Sequence, residues 1–258
     1  MLKKRIIPKF LLKDGRLVKG VRFHEKFREA GNPVSTAKVY DSYGVDEIIF
    51  LDILASEQSR KATLDVIKKV SQEVFMPFAA GGGVSTIEDV NDFLRAGADK
   101  VSVCTAAVEN PDFIKKAASR FGDQCMVVSI DYKEVSPGIF KVFTHCGTRQ
   151  TDINPVDFAL EMQEHNCGEI IICSIDKDGT MSGYDIEMIQ RLSERLDVPL
   201  IASSGAGSLQ DCVNAFNAGA EAITISSMFL FTDHSPIKVR SYLASQGLNV
   251  RASKSSRN

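Results

Sequence analysis

Three features of the 258-residue sequence together predict an α/β protein built as a closed barrel of eight parallel strands. Short runs rich in β-branched residues alternate with longer segments of helical periodicity. Several runs are hydrophobic throughout, which is typical of parallel strands buried on both faces. The two halves of the sequence also resemble each other. Strict alternation of strand and helix therefore predicts a (β/α)8 TIM barrel with a two-fold half-barrel repeat. The alternative, an open doubly wound sheet, lacks the expected G-x-G-x-x-G after its first strand.

The strands and several helix starts can be placed along the chain. Strands are predicted at 5–11, 47–51, 76–80, 100–103, 125–130, 169–173, 200–203 and 222–226. Three helices are predicted to begin at an N-cap asparagine followed by proline, at Asn32, Asn110 and Asn154. The stretch Ser85-Thr86-Ile87-Glu88 has the spacing of a capping box, and Ser208 is expected to cap a later helix.

The internal repeat defines two half-barrels within one domain. Segment 45–52 resembles 167–176, and segment 97–102 resembles 219–224, an offset of 219 − 97 = 122 residues. We therefore expect half-barrels of about 1–122 and 123–251 in a single barrel spanning 1–251, followed by a frayed tail at 252–258.

Composition and charge exclude several classes of protein. Lys and Arg total 31 against 33 Asp and Glu, so no basic surplus favours nucleic-acid binding. No apolar run approaches a membrane span, and Pro8 and Lys9 interrupt the N-terminal run as in a strand rather than a signal peptide. We expect a cytoplasmic protein. The six cysteines lack C-x-x-C spacing, which indicates small buried side chains and no metal or cofactor.

Glycine-rich and small polar turns suggest paired phosphate sites. Each half has a glycine-rich turn after its third strand, containing Gly83 or Gly205, and a small polar turn after its fourth. The polar turns are Cys104-Thr105-Ala106 and Ser226-Ser227, and the loop Asp178-Gly179-Thr180 could add donors. Glycine lets the backbone approach an anion closely. Two such pairs suggest a ligand with a phosphate at each end, although tight strand–helix packing is the alternative for any one turn.

Charged residues mark both ends of the predicted barrel. Asp52, Asp131 and Asp176 end strands, where barrel active sites lie, so they are candidates for proton transfer or for anchoring loops. At the opposite end, four charged residues each lie at the start of a strand, and they could form a charge-balanced ring or ordinary ion pairs. They are Arg5, Glu47, Lys100 and Glu169.

From residue 5 to about 251 the sequence resembles the cyclase subunit of imidazole glycerol phosphate synthase, HisF. The resemblance rests on KRIIP at 4–8, KDGR at 13–16, VKGV at 18–21, FLDI at 50–53, GGG at 81–83, AGADKVS at 96–102, TAA at 105–107, DKDGT at 176–180 and GAG at 205–207. As a set these motifs are highly specific.

The resemblance implies an assembly with a HisH-type glutaminase, whose ammonia passes through the barrel to a bis-phosphate substrate at the carboxyl-terminal face. It implies that the four charged residues form an ammonia gate, that Asp99 contacts the partner, and that Lys19 lies in a loop closing over substrate. The residues expected to bind substrate or phosphate are Lys19, Asp52, Gly83, Cys104, Thr105, Asp178, Gly179, Gly205, Ser226 and Ser227.

The sequence departs from this family at the position of a catalytic aspartate. The family uses two aspartates as general acid and base; Asp131 matches one, and Leu11 occupies the place of the other. The repeat agrees, because 131 − 11 = 120 pairs the two positions. Cys104 and Cys173 also replace an asparagine and a threonine. HisF-like paralogues encoded with surface-polysaccharide genes carry leucine at this position, which suggests ammonia delivery to a third protein that amidinates an amino sugar.

Three functions follow as hypotheses. The first is a HisF-like subunit that passes ammonia and activates a glutaminase without cyclising the usual substrate. The second is the histidine-pathway cyclase itself, with Asp131, Lys19 or a water replacing the missing carboxylate. The third is a phospholigand-binding barrel that channels nothing.

Overall fold

The computed structural model describes residues 3–24, 26–54 and 57–251. The strands are β1 (Arg5–Lys13), β2 (Arg16–Lys19), β3 (Arg28–Gly31), β4 (Ile48–Asp52), β5 (Phe78–Gly81), β6 (Lys100–Val103), β7 (Met126–Ser136), β8 (Ile139–Thr144), β9 (Arg149–Gln150), β10 (Glu169–Ser174), β11 (Leu200–Ser203) and β12 (Ala222–Ile225). The helices are α1 (Pro33–Ser42), α2 (Glu57–Ser71), α3 (Ile87–Arg95), α4 (Thr105–Glu109), α5 (Asp112–Phe121), α6 (Pro155–Glu164), α7 (Ile186–Ser193), α8 (Leu209–Asn217), α9 (Ser227–Phe231) and α10 (Pro236–Ser245). The predicted tail at 252–258 lies outside the described residues.

Within the described residues, eight strands run parallel and close into a barrel. Their order is β1, β4, β5, β6, β7, β10, β11 and β12, and β12 pairs with β1 to complete the ring. Helices alternate with the strands, which confirms the predicted TIM barrel. The strand ends agree with the sequence to within two residues except at β7, which continues to Ser136.

The first strand of each half continues beyond the barrel into an antiparallel extension. Strand β1 pairs with β2, which pairs with β3; in the second half β7 pairs with β8, which pairs with β9. The sequence analysis did not predict these extensions. Because they recur at the same place in both halves, they reinforce the internal repeat, and they extend from the carboxyl-terminal end of the barrel.

The predicted helix caps were partly correct. The side chains of Asn32 and Asn154 accept hydrogen bonds from backbone N–H groups in the first turns of α1 and α6, as predicted. Ser208 caps α8 in a full capping box. The predicted box at Ser85 was displaced by one residue, because Thr86 caps α3 and bonds reciprocally with Asp89. Asn110 caps nothing from its side chain: it ends α4, and α5 begins after Pro111.

The core has an outer and an inner part. The outer part lies between the barrel and the helices. The inner part takes one side chain from each of seven barrel strands and therefore fills the lumen; its members are Ile7, Ile49, Ala79, Val127, Ile171, Ile201 and Ala222. Since side chains alternate along a strand, residues two positions away from these also point inward. In the part of the chain described, no helix is long and apolar enough to cross a membrane.

Six free cysteines lie among the described residues. Cys167, Cys173 and Cys212 are buried, as the apolar surroundings in the sequence predicted. Cys146 is exposed, so the expectation of burial was wrong there, because the segment that carries it is a turn rather than a strand.

Candidate functional site

Asp131 lies on β7 at the carboxyl-terminal mouth and points toward the lumen. The inward alternation from Val127 through Ser129 reaches Asp131. The Cys104 thiol donates to Asp131 Oδ2 over 3.4 Å. Burial raises the pKa of the Asp131 carboxyl above its ordinary value, against the opposing effects of Lys9 and of the two cysteine thiols. A carboxyl group whose pKa is raised by burial is suited to accept and return a proton near neutral pH.

Leu11 occupies the position in the first half that Asp131 occupies in the second. On β1, Ile7 pairs with Thr224 of β12, and on β7 the equivalent Val127 pairs with Ser102 of β6. Four residues further along, β1 reaches Leu11 and β7 reaches Asp131. The strand register thus places a leucine at the position equivalent to Asp131, and a leucine transfers no proton.

Lys9 is a buried charge that the sequence analysis did not identify as a site residue. It follows Ile7 on the inward face of β1 and is 5% exposed. Its Nζ donates to Ser203 Oγ over 2.6 Å and to Cys173 Sγ over 3.6 Å, so the side chain reaches toward β10 and β11. Burial pushes the pKa of Lys9 down, but the neighbouring Cys173, Asp178 and Asp131 groups more than offset this and raise it. The alternation Arg5, Ile7, Lys9 could have revealed this placement.

The second half-barrel brings most of its predicted binding residues into one pocket. Lys9 lies at its wall, together with Lys19, Asp178, Gly179, Gly205, Ser226 and Ser227. Lys19 and Asp178 form a buried ion pair, Nζ to Oδ1 2.8 Å, which ties β2 to the loop after β10. Gly205 has φ +102°, and a Cβ there would lie 2.1 Å from a backbone oxygen, so the turn requires glycine.

The first half-barrel places its predicted residues differently. Asp52 accepts hydrogen bonds from the Leu54 backbone and the Thr63 hydroxyl, both over 2.9 Å, so its carboxylate anchors the loop after β4. Thr105 Oγ1 accepts from the His145 backbone over 3.0 Å. Burial raises the pKa of the Cys104 thiol well above its ordinary value, so Cys104 remains a neutral donor to Asp131.

Asp176 and Gly83 lie in loops at the same mouth. Asp176 Oδ2 accepts a hydrogen bond from the Glu134 backbone over 3.2 Å, so it holds the loop after β10 against the end of β7. Gly83 follows β5 with φ +65°, a conformation that favours glycine in the turn leading to α3. Among the described residues, no group of three or more His, Cys, Asp or Glu side chains could hold a metal ion.

The four charged residues at the amino-terminal end form a closed ring of ion pairs. Arg5 Nη1 lies 2.9 Å from both Glu47 Oε2 and Glu169 Oε1. Lys100 Nζ likewise lies 2.9 Å from a carboxylate oxygen of each glutamate. Burial raises the pKa of Glu47 above its ordinary value even though Lys100 and Arg5 act in the opposite direction. The ring carries no net charge and lies directly beneath the inner apolar layer.

An exposed aromatic side chain lies on the same amino-terminal face of the barrel as this ring. Phe75 precedes β5 on the amino-terminal face and is 99% exposed. It lines a shallow surface depression with Asp99, the predicted partner contact. Asp99 is itself exposed, and its Oδ2 accepts a hydrogen bond from the Phe78 backbone over 2.9 Å. The sequence analysis did not single out Phe75.

A comparison with known families agrees with this architecture. The sequence profile of a family described as "Histidine biosynthesis protein" matches residues 5–235. The matched range contains all eight barrel strands, the mouth residues and the ion-pair ring, and ends just before α10. The chain therefore belongs to the histidine biosynthesis protein family, as a barrel of the HisA/HisF type.

Proposed function

We propose that the chain is a HisF-like subunit of a glutamine amidotransferase complex that receives ammonia from a HisH-type glutaminase and passes it through the barrel. The acceptor is a surface-polysaccharide amino sugar that a third protein amidinates. One observation carries the proposal: the ion-pair ring is complete at one end of the barrel, while Leu11 stands at a proton-transfer position at the other.

The interior of the barrel is lined by apolar side chains, which favour a small neutral molecule over an ion. The ring opens onto the inner apolar layer, where Ala79 and Ala222 contribute the smallest side chains. Ammonia carries no charge, so it loses less solvation energy than ammonium on entering such a layer. In the ring each cation contacts both carboxylates, so one cation can move aside while the other keeps the two glutamates paired.

The face around the ring supports the glutaminase as partner. A fully exposed phenylalanine is unusual on a protein surface, and aromatic residues are enriched at the centres of interfaces. Phe75 and Asp99 lie on the face into which the ring opens. A glutaminase bound there would release ammonia directly at Arg5 and Lys100.

The carboxyl-terminal mouth supports the loss of cyclisation. General acid–base catalysis is typically worth about 10²–10⁴-fold. Leu11 removes one of the two groups that the resemblance assigns to that role, while the binding residues of the second half remain together in a pocket. Such a barrel holds a ligand but lacks one of the two proton-transfer groups.

One observation favours the histidine-pathway cyclase as a second candidate. Lys9 and Asp131 both reach the lumen near Cys173, so an ammonium group could supply the proton that Leu11 cannot. Lys19, by contrast, is engaged by Asp178. The second-half pocket alone would suffice for the third candidate, a phospholigand-binding barrel.

The test is turnover of the ribulosyl-formimino substrate of the family at saturating ammonium, without any glutaminase. The proposal predicts no turnover by the unmodified chain above the uncatalysed rate, with substrate binding still detectable by calorimetry. It predicts measurable turnover by Leu11→Asp. Turnover by the unmodified chain within tenfold of the Leu11→Asp variant would establish the cyclase instead.

A further inference from the structure

The ammonium group of Lys9 makes its hydrogen bonds to side chains that are not carboxylates. Its hydrogen-bond partners are the hydroxyl of Ser203 and the thiol of Cys173, both neutral groups. Burial raises the pKa of Cys173, which keeps the thiol protonated near neutral pH. Within the part of the chain that the structure describes, no carboxylate lies within 4.0 Å of Lys9 Nζ. Of the three donors of the ammonium, one makes a short hydrogen bond and one a long contact to sulfur.

The pocket beside Lys9 carries an excess of positive charge. Its charged lining residues are Lys9, Lys19 and Asp178. Lys19 and Asp178 neutralise each other at 2.8 Å. Lys9 is therefore left as a single positive charge on the pocket wall. Asp131 does not line this pocket.

An unused hydrogen-bond donor faces the same pocket. Ser226 lines it, and Ser226 Oγ is buried with no hydrogen-bond partner among the described residues. A buried hydroxyl without a partner is unfavourable unless a ligand or water satisfies it. A buried ammonium that no carboxylate contacts directly is also unfavourable, even though Asp178 and Asp131 raise its pKa from a distance. Both deficits are met by one group: an anion whose oxygens accept from Ser226 and from Lys9.

We propose that Lys9 is a ligand-binding residue that contacts a phosphate oxygen from the lumen side of the second-half pocket, while the turns at Gly205 and Ser226 enclose the group from the other side. The ligand is a phosphate monoester or inorganic phosphate. The charge of Lys9 makes the pocket select a dianion over a neutral sugar. This inference deepens the proposed function, on which it rests only for the expectation of a phosphorylated ligand.

A ligand-binding role and a structural role predict opposite effects of removing the charge. Replacing a buried, unpaired charge by an apolar side chain of similar size is often neutral or stabilising, whereas removing a structural contact destabilises. Lys9→Met keeps the length of the side chain and removes the ammonium. If Lys9 binds ligand, the variant gains stability or keeps it while it loses phosphate affinity.

The experiment measures binding of inorganic phosphate and of glycerol phosphate to the full chain by calorimetry at constant ionic strength, together with urea unfolding. We expect Lys9→Met to bind both anions at least tenfold more weakly, with an unfolding midpoint no lower than that of the unmodified chain. Lys133→Met, which removes an exposed lysine on β7, controls for the change in net charge and should bind normally.

Two results would overturn the inference. One is phosphate affinity in Lys9→Met within threefold of the unmodified chain. The other is equal weakening by Lys133→Met, which would indicate a general effect of net charge. A midpoint that falls in Lys9→Met while affinity is kept would identify Lys9 as structural. The binding experiment contains no glutaminase, so its outcome does not test ammonia transfer. Conversely, a glutaminase assay that fails does not test phosphate binding by Lys9.

Discussion

The ion-pair ring makes a quantitative prediction about Lys100→Met. The substitution removes two contacts of 2.9 Å and leaves Arg5 as the single cation between Glu47 and Glu169. Removing one partner of a buried pair costs about 3–5 kcal/mol. The side chain of Lys100 is 18% exposed and Arg5 still bridges both glutamates, so we expect a smaller loss, about 2 kcal/mol. This corresponds to a fall of about 1 M in the urea midpoint.

The same variant should show a pH dependence whose sign follows from Glu47. The pKa of Glu47 is already raised by burial above its ordinary value, and losing Lys100, which lowers it, raises it further. The folded state then binds a proton that the unfolded state has released, so stability falls as pH rises from the ordinary glutamate pKa through the raised one. The destabilisation by Lys100→Met should therefore be larger at pH 8 than at pH 5.5.

The assay is urea unfolding of both proteins at the two pH values. Lys38→Met is the matched control, because Lys38 pairs with Glu73 at the surface and its loss should change stability by about 0.5 kcal/mol or less. The reasoning would be refuted if Lys100→Met were no more destabilising than this control, or if its effect were the same at pH 5.5 and pH 8.

Three further predictions concern the partner face and the mouth. Phe75→Ala should weaken glutaminase binding at least tenfold in a titration while leaving the urea midpoint unchanged, whereas Ile139→Ala, at a half-exposed position of β8, should leave binding unchanged. Lys19→Met should lower the free energy of unfolding by about 3 kcal/mol, because it leaves Asp178 buried and unpaired. The double variant with Asp178→Leu should recover at least half of that loss. Additive losses in the double variant would argue against the ion pair. Gly205→Ala should abolish phosphate binding, because a Cβ would lie 2.1 Å from a backbone oxygen, and binding within threefold of normal would contradict the tight turn.

The barrel could be predicted because its signals are local and repeated. Strands such as β10 and β11 are continuous apolar runs, and helices such as α1 begin at an asparagine–proline pair. The extension of β7 was missed because its last four residues, 133–136, are exposed, so the hydrophobic pattern that marks a buried strand fades after Tyr132.

The site was predicted less completely, since its chemistry depends on contacts between distant residues. Leu11 was identified through the family resemblance, and the internal repeat agrees because its partner position holds Asp131. Lys9 lies in the same strand and on the same inward face. Its role depends on contacts with Ser203 and Cys173, which are more than 160 residues away in the sequence. The exposure of Phe75 could not be predicted from the sequence, because a phenylalanine before a strand is usually buried.

The measurement that tests the central claim most directly is glutamine hydrolysis by a HisH-type glutaminase, with and without the barrel, while turnover of the ribulosyl-formimino substrate is followed in the same reaction. The account predicts that the barrel raises kcat/KM for glutamine at least tenfold and that cyclisation stays at the uncatalysed rate. It further predicts that Phe75→Ala reduces the activation. Glutaminase activity that does not respond to the barrel, or cyclisation that accompanies it, would contradict the account.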